Sequence, residues 1–96
     1  MTTRLHRLAF QELLDAAAFY DEQSPGLGAE FLAAVQDAFD LLDRHPKAAP
    51  LVAEHARRLV MPRFPYNIIY SLVGREILIL AIAHQSRSPS YWLGRT

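Results

Sequence analysis

Two isoleucine-rich segments joined by only two residues constrain the fold more than any other feature of this sequence. Residues 66–73 and 76–84 are dominated by β-branched, aromatic and other apolar residues, a composition that favours β-strands. Gly74 and Arg75 separate them, and a two-residue connection with glycine first is typical of a type II′ hairpin turn. The sequence therefore predicts a long antiparallel hairpin, and the rest of the chain must cover it.

The first half of the chain spaces its apolar residues as helices do. A short strand is predicted at residues 4–8, and two amphipathic helices follow it on either side of a proline–glycine joint. Ser24 can cap the second helix, and Pro25 can occupy its first turn. Pro46 disfavours helix in the residue before it, so the second helix ends at His45. The predicted apolar stripes comprise Phe10, Leu13, Leu14, Ala17 and Tyr20 in the first helix, and Leu27, Phe31, Val35, Ala38, Phe39 and Leu42 in the second.

The segment between the helices and the hairpin completes the predicted sheet. Residues 47–55 form a proline- and alanine-rich loop, and a short strand follows at Arg58–Met61. Pro62 and Pro65 cannot donate ladder hydrogen bonds, so they indicate a bend or an edge before the hairpin. The predicted order is β-α-α-β-β-β within a single domain over residues 1–96. Helices grouped before an antiparallel sheet indicate an α+β fold, with a helical hairpin packed on a small antiparallel sheet.

The composition excludes several kinds of site and location. The chain has 96 residues and no cysteine, so it can form neither a disulfide nor a thiolate metal site. Its four histidines have no metal-ligand spacing, and we predict no metal and no other cofactor. The longest apolar run, residues 77–83, is too short to cross a bilayer, and the N-terminus lacks the apolar run of a signal peptide. We therefore expect a cytoplasmic protein without a membrane partner.

The net charge of zero hides a segregation of charge along the chain. Residues 9–54 carry nine acidic and two basic side chains, whereas residues 55–96 carry six arginines and one glutamate. Arginine binds carboxylate and phosphate groups through two parallel hydrogen bonds and stacks on aromatic rings. The arginine-rich half is therefore suited to recognition, and attraction between the two halves of the domain is the structural alternative.

The most unusual group of side chains follows the last predicted strand. His84 ends that strand, and Arg87 and Tyr91 lie four residues apart in the segment after it. An imidazole, a guanidinium and a phenol at one rim can support cleavage of RNA through its 2′-hydroxyl, or can simply hold a phosphate or a carboxylate. The structural alternatives are that His84 is a hydrogen-bonding residue of the strand end, and that Tyr91 and Trp92 anchor the end of the chain.

A series of short motifs runs in order along nearly the whole sequence. They are Glu12-Leu13 with Ala17 and Tyr20, Pro25–Gly28 with Phe31, Arg58, Arg63–Tyr66 with Tyr70, Ala83-His84, Arg87–Trp92 and Arg95. Together they resemble the RelE/ParE superfamily of toxins from type II toxin–antitoxin modules, especially its ParE-like, plasmid stabilisation branch. The family fold that this resemblance implies, a helical hairpin on an antiparallel sheet, agrees with the predicted order of elements.

The resemblance also implies a function and partners. It implies a toxin that arrests growth by binding an essential machine, with a cognate antitoxin as partner in a hetero-oligomer. ParE-like members poison DNA gyrase without chemistry of their own, and gyrase is the favoured target. RelE-like members cleave mRNA in the ribosomal A site, so the alternative is a ribosome-dependent endoribonuclease with Arg58, His84, Arg87 and Tyr91 as catalytic candidates. A third reading is an inactive toxin homologue that is kept as an antitoxin-binding partner.

Two positions favour the gyrase reading. Val60 and Asn67 stand where the ribonucleases of the superfamily tend to have lysine or arginine, which leaves fewer cations for a polyanion. We expect no sequence-specific DNA binding by the chain alone, and we expect Arg87 and Arg95 to face solvent. The surface predicted to bind the target or the antitoxin comprises Arg57, Arg58, Arg63, Tyr66, His84, Arg87, Trp92 and Arg95.

Overall fold

Two helices cover one face of a five-stranded mixed sheet in the computed structural model, which describes residues 1–96. The elements are β1 (Thr2–Leu5), α1 (Arg7–Gln23), α2 (Leu27–Arg44), β2 (Leu51–Ala53), β3 (Ala56–Val60), β4 (Tyr66–Val73) and β5 (Glu76–His84). The strand order is β1-β5-β4-β3-β2. The predicted α+β class with its helical hairpin is confirmed. Neither helix is long and apolar enough to cross a membrane.

The β4–β5 hairpin has the bounds that the sequence predicts. Gly74 has φ 61°, and Arg75, like every residue other than glycine, has a negative φ. A type II′ turn requires a positive φ at the first of its two central residues only. The ladder contains one irregularity: Ile69 pairs with Ala81 and Tyr70 pairs with Ile79, so Leu80 is an extra residue on β5. This β-bulge, at the middle of β5, places Leu80 and Ala81 on the same side of the sheet.

The sheet differs from the prediction at its two outer strands. β1 runs parallel to β5, so the sheet is mixed rather than wholly antiparallel. It ends at Leu5 because His6 caps α1, its Nδ1 atom accepting the Leu8 N–H at 3.1 Å. β2 lies in the segment predicted as a loop, and its three residues are too few to show a periodic pattern. β3 begins at Ala56, two residues before its predicted start.

The joint between the helices is closer than the sequence suggested. The N-cap of α2 is Gly26 rather than Ser24, and no side chain caps it at that position. Asp21 of α1 instead accepts the Gly28 N–H at 2.8 Å. A Cβ atom on Gly28 would collide with the Ala17 carbonyl oxygen, so only glycine lets the helices approach this closely. The predicted end of α2 at His45 is confirmed.

The sheet buries apolar residues on both faces. The helix-facing core is built around Phe31, Val35, Leu42, Ile68, Tyr70, Ile77, Ile79 and Ile82. The opposite face buries Ala56, Ile69, Leu78, Leu80, Ala81, Ala83 and Trp92. The apolar stripe predicted for α2 faces this core: Phe31, Val35 and Leu42 are buried, and Leu27, Ala38 and Phe39 are half-buried against it.

The stripe predicted for α1 is wrong at two positions. Ala9 and Ala16 are buried, whereas Phe10 and Leu14 are exposed. Small alanines face the core because α1 lies close to both α2 and the sheet, which leaves no space for larger side chains there. Phe10, Leu14 and also Phe19 therefore project from the outer surface of the helical hairpin.

Candidate functional site

The site lies where β5 ends and the chain turns back over the sheet. Residues 85–96, here called the C-terminal segment, form successive turns whose backbone bonds include Arg87 N–H to His84 and Arg95 N–H to Trp92. Trp92 is buried against the sheet face opposite the helices. The side chains after His84 are therefore held close to the sheet rather than extending away from it.

The C-terminal segment covers an edge of β5 that has no neighbouring strand. β1 ends at Leu5, which pairs with Ile79, so the rest of that edge lacks a backbone partner. Side chains bond to it instead: Arg95 Nη1 donates to the Leu80 carbonyl at 3.0 Å, and the Ile82 N–H donates to Glu12 Oε1 at 3.1 Å. These contacts satisfy backbone groups that would otherwise be costly to bury.

Glu12 of α1 is the centre of this arrangement. Its two carboxylate oxygens bind the Arg95 guanidinium in a bidentate manner, at 2.9 Å to Nη1 and 3.2 Å to Nη2. Glu12 Oε2 also accepts the Tyr91 hydroxyl at 2.7 Å. The side chains of Glu12 and Arg95 are only 18% and 12% exposed. We call Glu12, Tyr91 and Arg95 the Glu12 network.

One prediction about the Glu12 network is wrong, and one of its residues, Glu12, was not predicted to belong to the site. Arg95 was expected to face solvent, and this is wrong because its guanidinium is buried against Glu12 and the β5 edge. Glu12 appeared only as part of a helix motif. The 83 residues that separate it from Arg95 leave no local pattern to connect the two.

The Tyr91 phenol is held in its neutral form. Burial raises its pKa well above the ordinary value, and the hydrogen bond that it donates to Glu12 and the negative charge of that carboxylate act in the same direction. The positive charges of Arg95 and Arg87 oppose this rise and are weaker. Tyr91 therefore acts as a fixed hydrogen-bond donor rather than as a group that exchanges protons near neutral pH.

Arg87 is the exposed cation of the site. Its guanidinium carbon lies 3.8 Å from the centroid of the Tyr91 ring, a close cation–π contact. His84 is half-buried, and its Nδ1 atom accepts the Ser86 N–H at 3.0 Å. The His84 and Tyr66 rings are nearly perpendicular, with 5.1 Å between their centroids.

Arg87 and His84 stand between two depressions. A polar cavity of about 70 Å³ on the sheet face is lined by these two residues together with Arg58, Asn67 and Trp92. An open cleft of about 290 Å³ beside α1 is lined by Glu12, Asp15, Ala16, Phe19, Tyr66, Ile82, His84 and Arg87. Pockets that enclose small ligands usually measure about 300–1,000 Å³, so the polar cavity admits the end of a side chain or a few waters.

The remaining predicted site residues have structural contacts. Arg57 donates to the Ala49 carbonyl at 2.8 Å and so fastens the loop before β2. Arg63 forms an exposed ion pair with Glu30 at 2.8 Å. Trp92 is buried as an anchor of the C-terminal segment, which favours its structural reading over a stacking platform. Arg58 lies with His84 and Arg87 around the polar cavity, and Tyr66 lies with the same two residues beside the cleft, so the four residues form the rim at the end of β5.

A comparison with protein families decides where the chain belongs. A family model described as the ParE toxin of the type II toxin–antitoxin system parDE matches residues 3–89. The chain belongs to the ParE toxin family. The ParE-like resemblance predicted from the motifs is thereby confirmed.

Solved structures agree with this ParE assignment at the level of the fold. A chromosomal ParDE toxin–antitoxin system from P. aeruginosa matches with a TM-score of 0.65 and 23% sequence identity, over 88% of this chain and 95% of that chain. No curated protein matches the chain. The span matched to the ParE family includes Glu12, His84 and Arg87, whereas Tyr91 and Arg95 lie after it.

The tyrosines of this ParE-family chain predict a loss of stability at high pH. Burial raises the pKa of all four, Tyr20, Tyr66, Tyr70 and Tyr91. The unfolded chain therefore releases these protons first, so the stabilisation is complete below about pH 10 and is lost as the pH rises through the folded-state values. Thermal unfolding at about pH 8 and about pH 11 should show a smaller fall in Tm for Tyr91→Phe than for the wild type. Equal falls in Tm for the two proteins would contradict the assignment of Tyr91 as a buried hydrogen-bond donor.

Proposed function

We propose that this ParE-family toxin acts in the cytoplasm and arrests growth by binding an essential machine, with DNA gyrase as its target, without catalysing a reaction. The observation that carries the proposal is the hydrogen bond from the Tyr91 hydroxyl to Glu12. A phenol whose proton is held by a buried carboxylate, and whose pKa is raised by burial, is a poor general acid and a poor base. The rim therefore lacks the proton-transferring phenol that cleavage of RNA beside Arg87 would use.

The shape and charge of the rim support the same proposal. The polar cavity, at about 70 Å³, is too small to enclose a nucleotide. Val60 and Asn67 lie opposite each other in the β3–β4 ladder, so the positions where ribonucleases tend to place cations carry an apolar group and an amide. A surface that must hold a polyanion in register needs several cations, and here Arg58 and Arg87 are those that line the cavity.

Arg87 has the properties of an anchor for a protein target. Its guanidinium is exposed, so its hydrogen-bond donors can fork onto a carboxylate or a phosphate group. Stacking on Tyr91 limits its rotamers before binding, which lowers the entropy cost of forming a complex. Arginine is also among the residues that most often dominate the binding energy of interfaces.

The gyrase proposal predicts a specific pattern of inhibition. Purified DNA gyrase that supercoils relaxed plasmid DNA should be inhibited by the wild-type toxin. At least about tenfold more of the Arg87→Ala variant should be needed for the same inhibition, because an anchor at the centre of an interface is lost. Arg75→Ala is the matched control, since Arg75 is an exposed arginine in the turn at the opposite end of β5, and it should inhibit as the wild type does. Unchanged supercoiling at saturating toxin would contradict gyrase as the target.

The second candidate function is ribosome-dependent cleavage of mRNA, and one observation favours it. Arg58, His84 and Arg87 line the same polar cavity, as a site for a scissile phosphate requires. Induction of the toxin followed by mapping of mRNA ends tests it. Cuts within translated mRNA that disappear with Arg87→Ala would replace the gyrase proposal. Intact mRNA together with unaffected gyrase and normal growth would indicate an inactive homologue.

We also propose a cognate antitoxin as partner, in a toxin–antitoxin hetero-oligomer. An extended antitoxin segment would lie across the helical hairpin and along the sheet, with acidic groups near Arg57, Arg58 or Arg87. The exposed Phe10 and Leu14 on α1 offer apolar surface for such a segment. Because the antitoxin binds only the folded toxin, a saturating amount should raise the Tm of the toxin by several degrees. An unchanged melting curve would count against this partner.

A further inference from the structure

The position of Arg87 is not fixed by regular secondary structure. Arg87 lies in the turns of the C-terminal segment, where its own backbone N–H is bonded to the His84 carbonyl at 2.9 Å. Its side chain is exposed, and the contact that orients the guanidinium is the face of the Tyr91 ring at 3.8 Å. Whatever holds the Tyr91 ring therefore also determines where the charge of Arg87 lies.

The Tyr91 ring is held from α1. Its hydroxyl donates to Glu12 Oε2 at 2.7 Å, the shortest of the hydrogen bonds that reach the Glu12 carboxylate. Glu12 itself is fixed by the β5 edge, through the Ile82 N–H, and by the Arg95 guanidinium. A continuous set of contacts thus runs from the β5 edge through Glu12 and Tyr91 to Arg87.

The bond between Tyr91 and Glu12 is not needed to close the sheet edge. The Leu80 carbonyl accepts from Arg95, and the Ile82 N–H donates to Glu12 Oε1, so the Tyr91 hydroxyl makes neither bond, while the Tyr91 ring lies 5.0 Å from the Arg95 guanidinium carbon. The hydroxyl of Tyr91 instead fixes the tilt of a ring that carries an exposed cation on its face. If the hydrogen bond between Tyr91 and Glu12 served stability alone, the position of the Arg87 guanidinium would depend only on the rotamers of its own side chain.

We propose that Glu12 is a positioning residue of the toxin, which through Tyr91 holds the Arg87 guanidinium at the rim where the target binds. The inference rests on the proposed function in one respect, that Arg87 is a contact with the target. Glu12 is not itself such a contact, since its carboxylate is already occupied by Ile82, Tyr91 and Arg95. In a variant that still folds, loss of Glu12 should therefore weaken the toxin only as far as loss of Arg87 does.

The first test observes Arg87 directly by NMR in the full-length toxin. Protons of a guanidinium over an aromatic face are shifted by the ring current, so the Arg87 side-chain signals of the wild type should differ from those of Arg75. In Glu12→Gln, which keeps one carbonyl oxygen where two carboxylate oxygens accept bonds, the Arg87 signals should move towards those of Arg75. Tyr91→Phe, which keeps the ring and loses only the hydroxyl, should move them in the same direction and serves if Glu12→Gln does not fold.

The matched control is Glu76→Gln. Glu76 pairs with Arg4 at 3.2 Å at the other end of β5, so its substitution removes an ion-paired carboxylate without touching Tyr91. It should leave the Arg87 signals and the toxicity unchanged. Arg87 signals that stay at their wild-type positions in both folded Glu12→Gln and Tyr91→Phe would overturn the inference.

The second test is a double-mutant cycle on growth inhibition, measured as the amount of induced toxin that halves growth. Glu12→Gln and Arg87→Ala should each raise this amount roughly tenfold or more, and the double variant should resemble Arg87→Ala alone because both act through one group. The inference would be overturned if the double variant raised this amount by the product of the two single-variant increases. Wild-type toxin that arrests growth but leaves gyrase active would contradict the gyrase target alone, whereas full toxicity of folded Arg87→Ala would overturn both the target contact and the inference.

Discussion

Replacing Arg95 with alanine is expected to lower the free energy of unfolding by about 3–5 kcal/mol, because it breaks a partly buried ion pair from one side. The Glu12 carboxylate would lose a bidentate partner while remaining largely shielded from water, and the Leu80 carbonyl would lose its donor. Both losses fall at the edge of β5 that no strand covers. Urea denaturation of the two proteins side by side measures the difference.

Two further substitutions serve as controls for Arg95→Ala. Arg95→Lys keeps the positive charge but cannot form the two parallel hydrogen bonds to Glu12, so it should recover only part of the loss. Arg75→Ala removes an exposed arginine from a turn and should change the free energy of unfolding by less than about 0.5 kcal/mol. A loss below about 1 kcal/mol for Arg95→Ala would mean that the pair is no stronger than a surface salt bridge.

Replacing Phe31 with alanine is expected to cost about 3–5 kcal/mol, a large share of the stability of a small domain. Phe31 is fully buried where α2 meets the sheet, and its ring lies 5.2 Å from Tyr20, 5.1 Å from Phe64 and 5.2 Å from Tyr66 between centroids. Truncation would leave a cavity at the centre of this aromatic cluster. Thermal or chemical unfolding measures the loss.

Phe10→Ala is the matched control for Phe31→Ala. It removes the same side chain from α1, where Phe10 is 51% exposed, and should cost less than about 1 kcal/mol. Since the sequence pattern assigned both residues to the apolar stripes, the pair of variants tests the orientation of α1 in particular. Equal losses from the two substitutions would mean that Phe10 is packed in the core.

The elements predicted best are those whose signal is local. The β4–β5 hairpin has its predicted bounds because a run of β-branched residues and a glycine turn specify it within 19 residues, 66–84. The end of α2 at His45 follows from the proline beside it. The orientation of α1 could not be predicted in the same way, because Phe10 and Ala9 fit helical periodicity equally well and only packing against α2 and the sheet selects the alanine.

The candidate site was predicted only in part, because only some of its residues have a local signal in the sequence. His84 and Arg87 are close in sequence to the end of β5, so the strand end places both at one rim. Arg95 and Trp92 were assigned to the binding surface because they follow the last strand. The C-terminal segment instead turns back and buries them against Glu12 and the sheet. Nothing local in the sequence indicates that return, since Glu12 and Arg95 are 83 residues apart.

The division of the C-terminal segment into a structural arginine and a recognition arginine is tested most directly by two variants, each examined for thermal unfolding and for growth inhibition. Arg95→Ala should lower the Tm by roughly 12 °C or more, as a loss of about 3 kcal/mol implies for a domain of this size. Arg87→Ala should melt close to the wild type and fail to inhibit growth, because its exposed guanidinium contributes to binding rather than to folding. This division of roles would be contradicted if Arg87→Ala unfolds as readily as Arg95→Ala, or if it folds normally and still arrests growth as the wild type does.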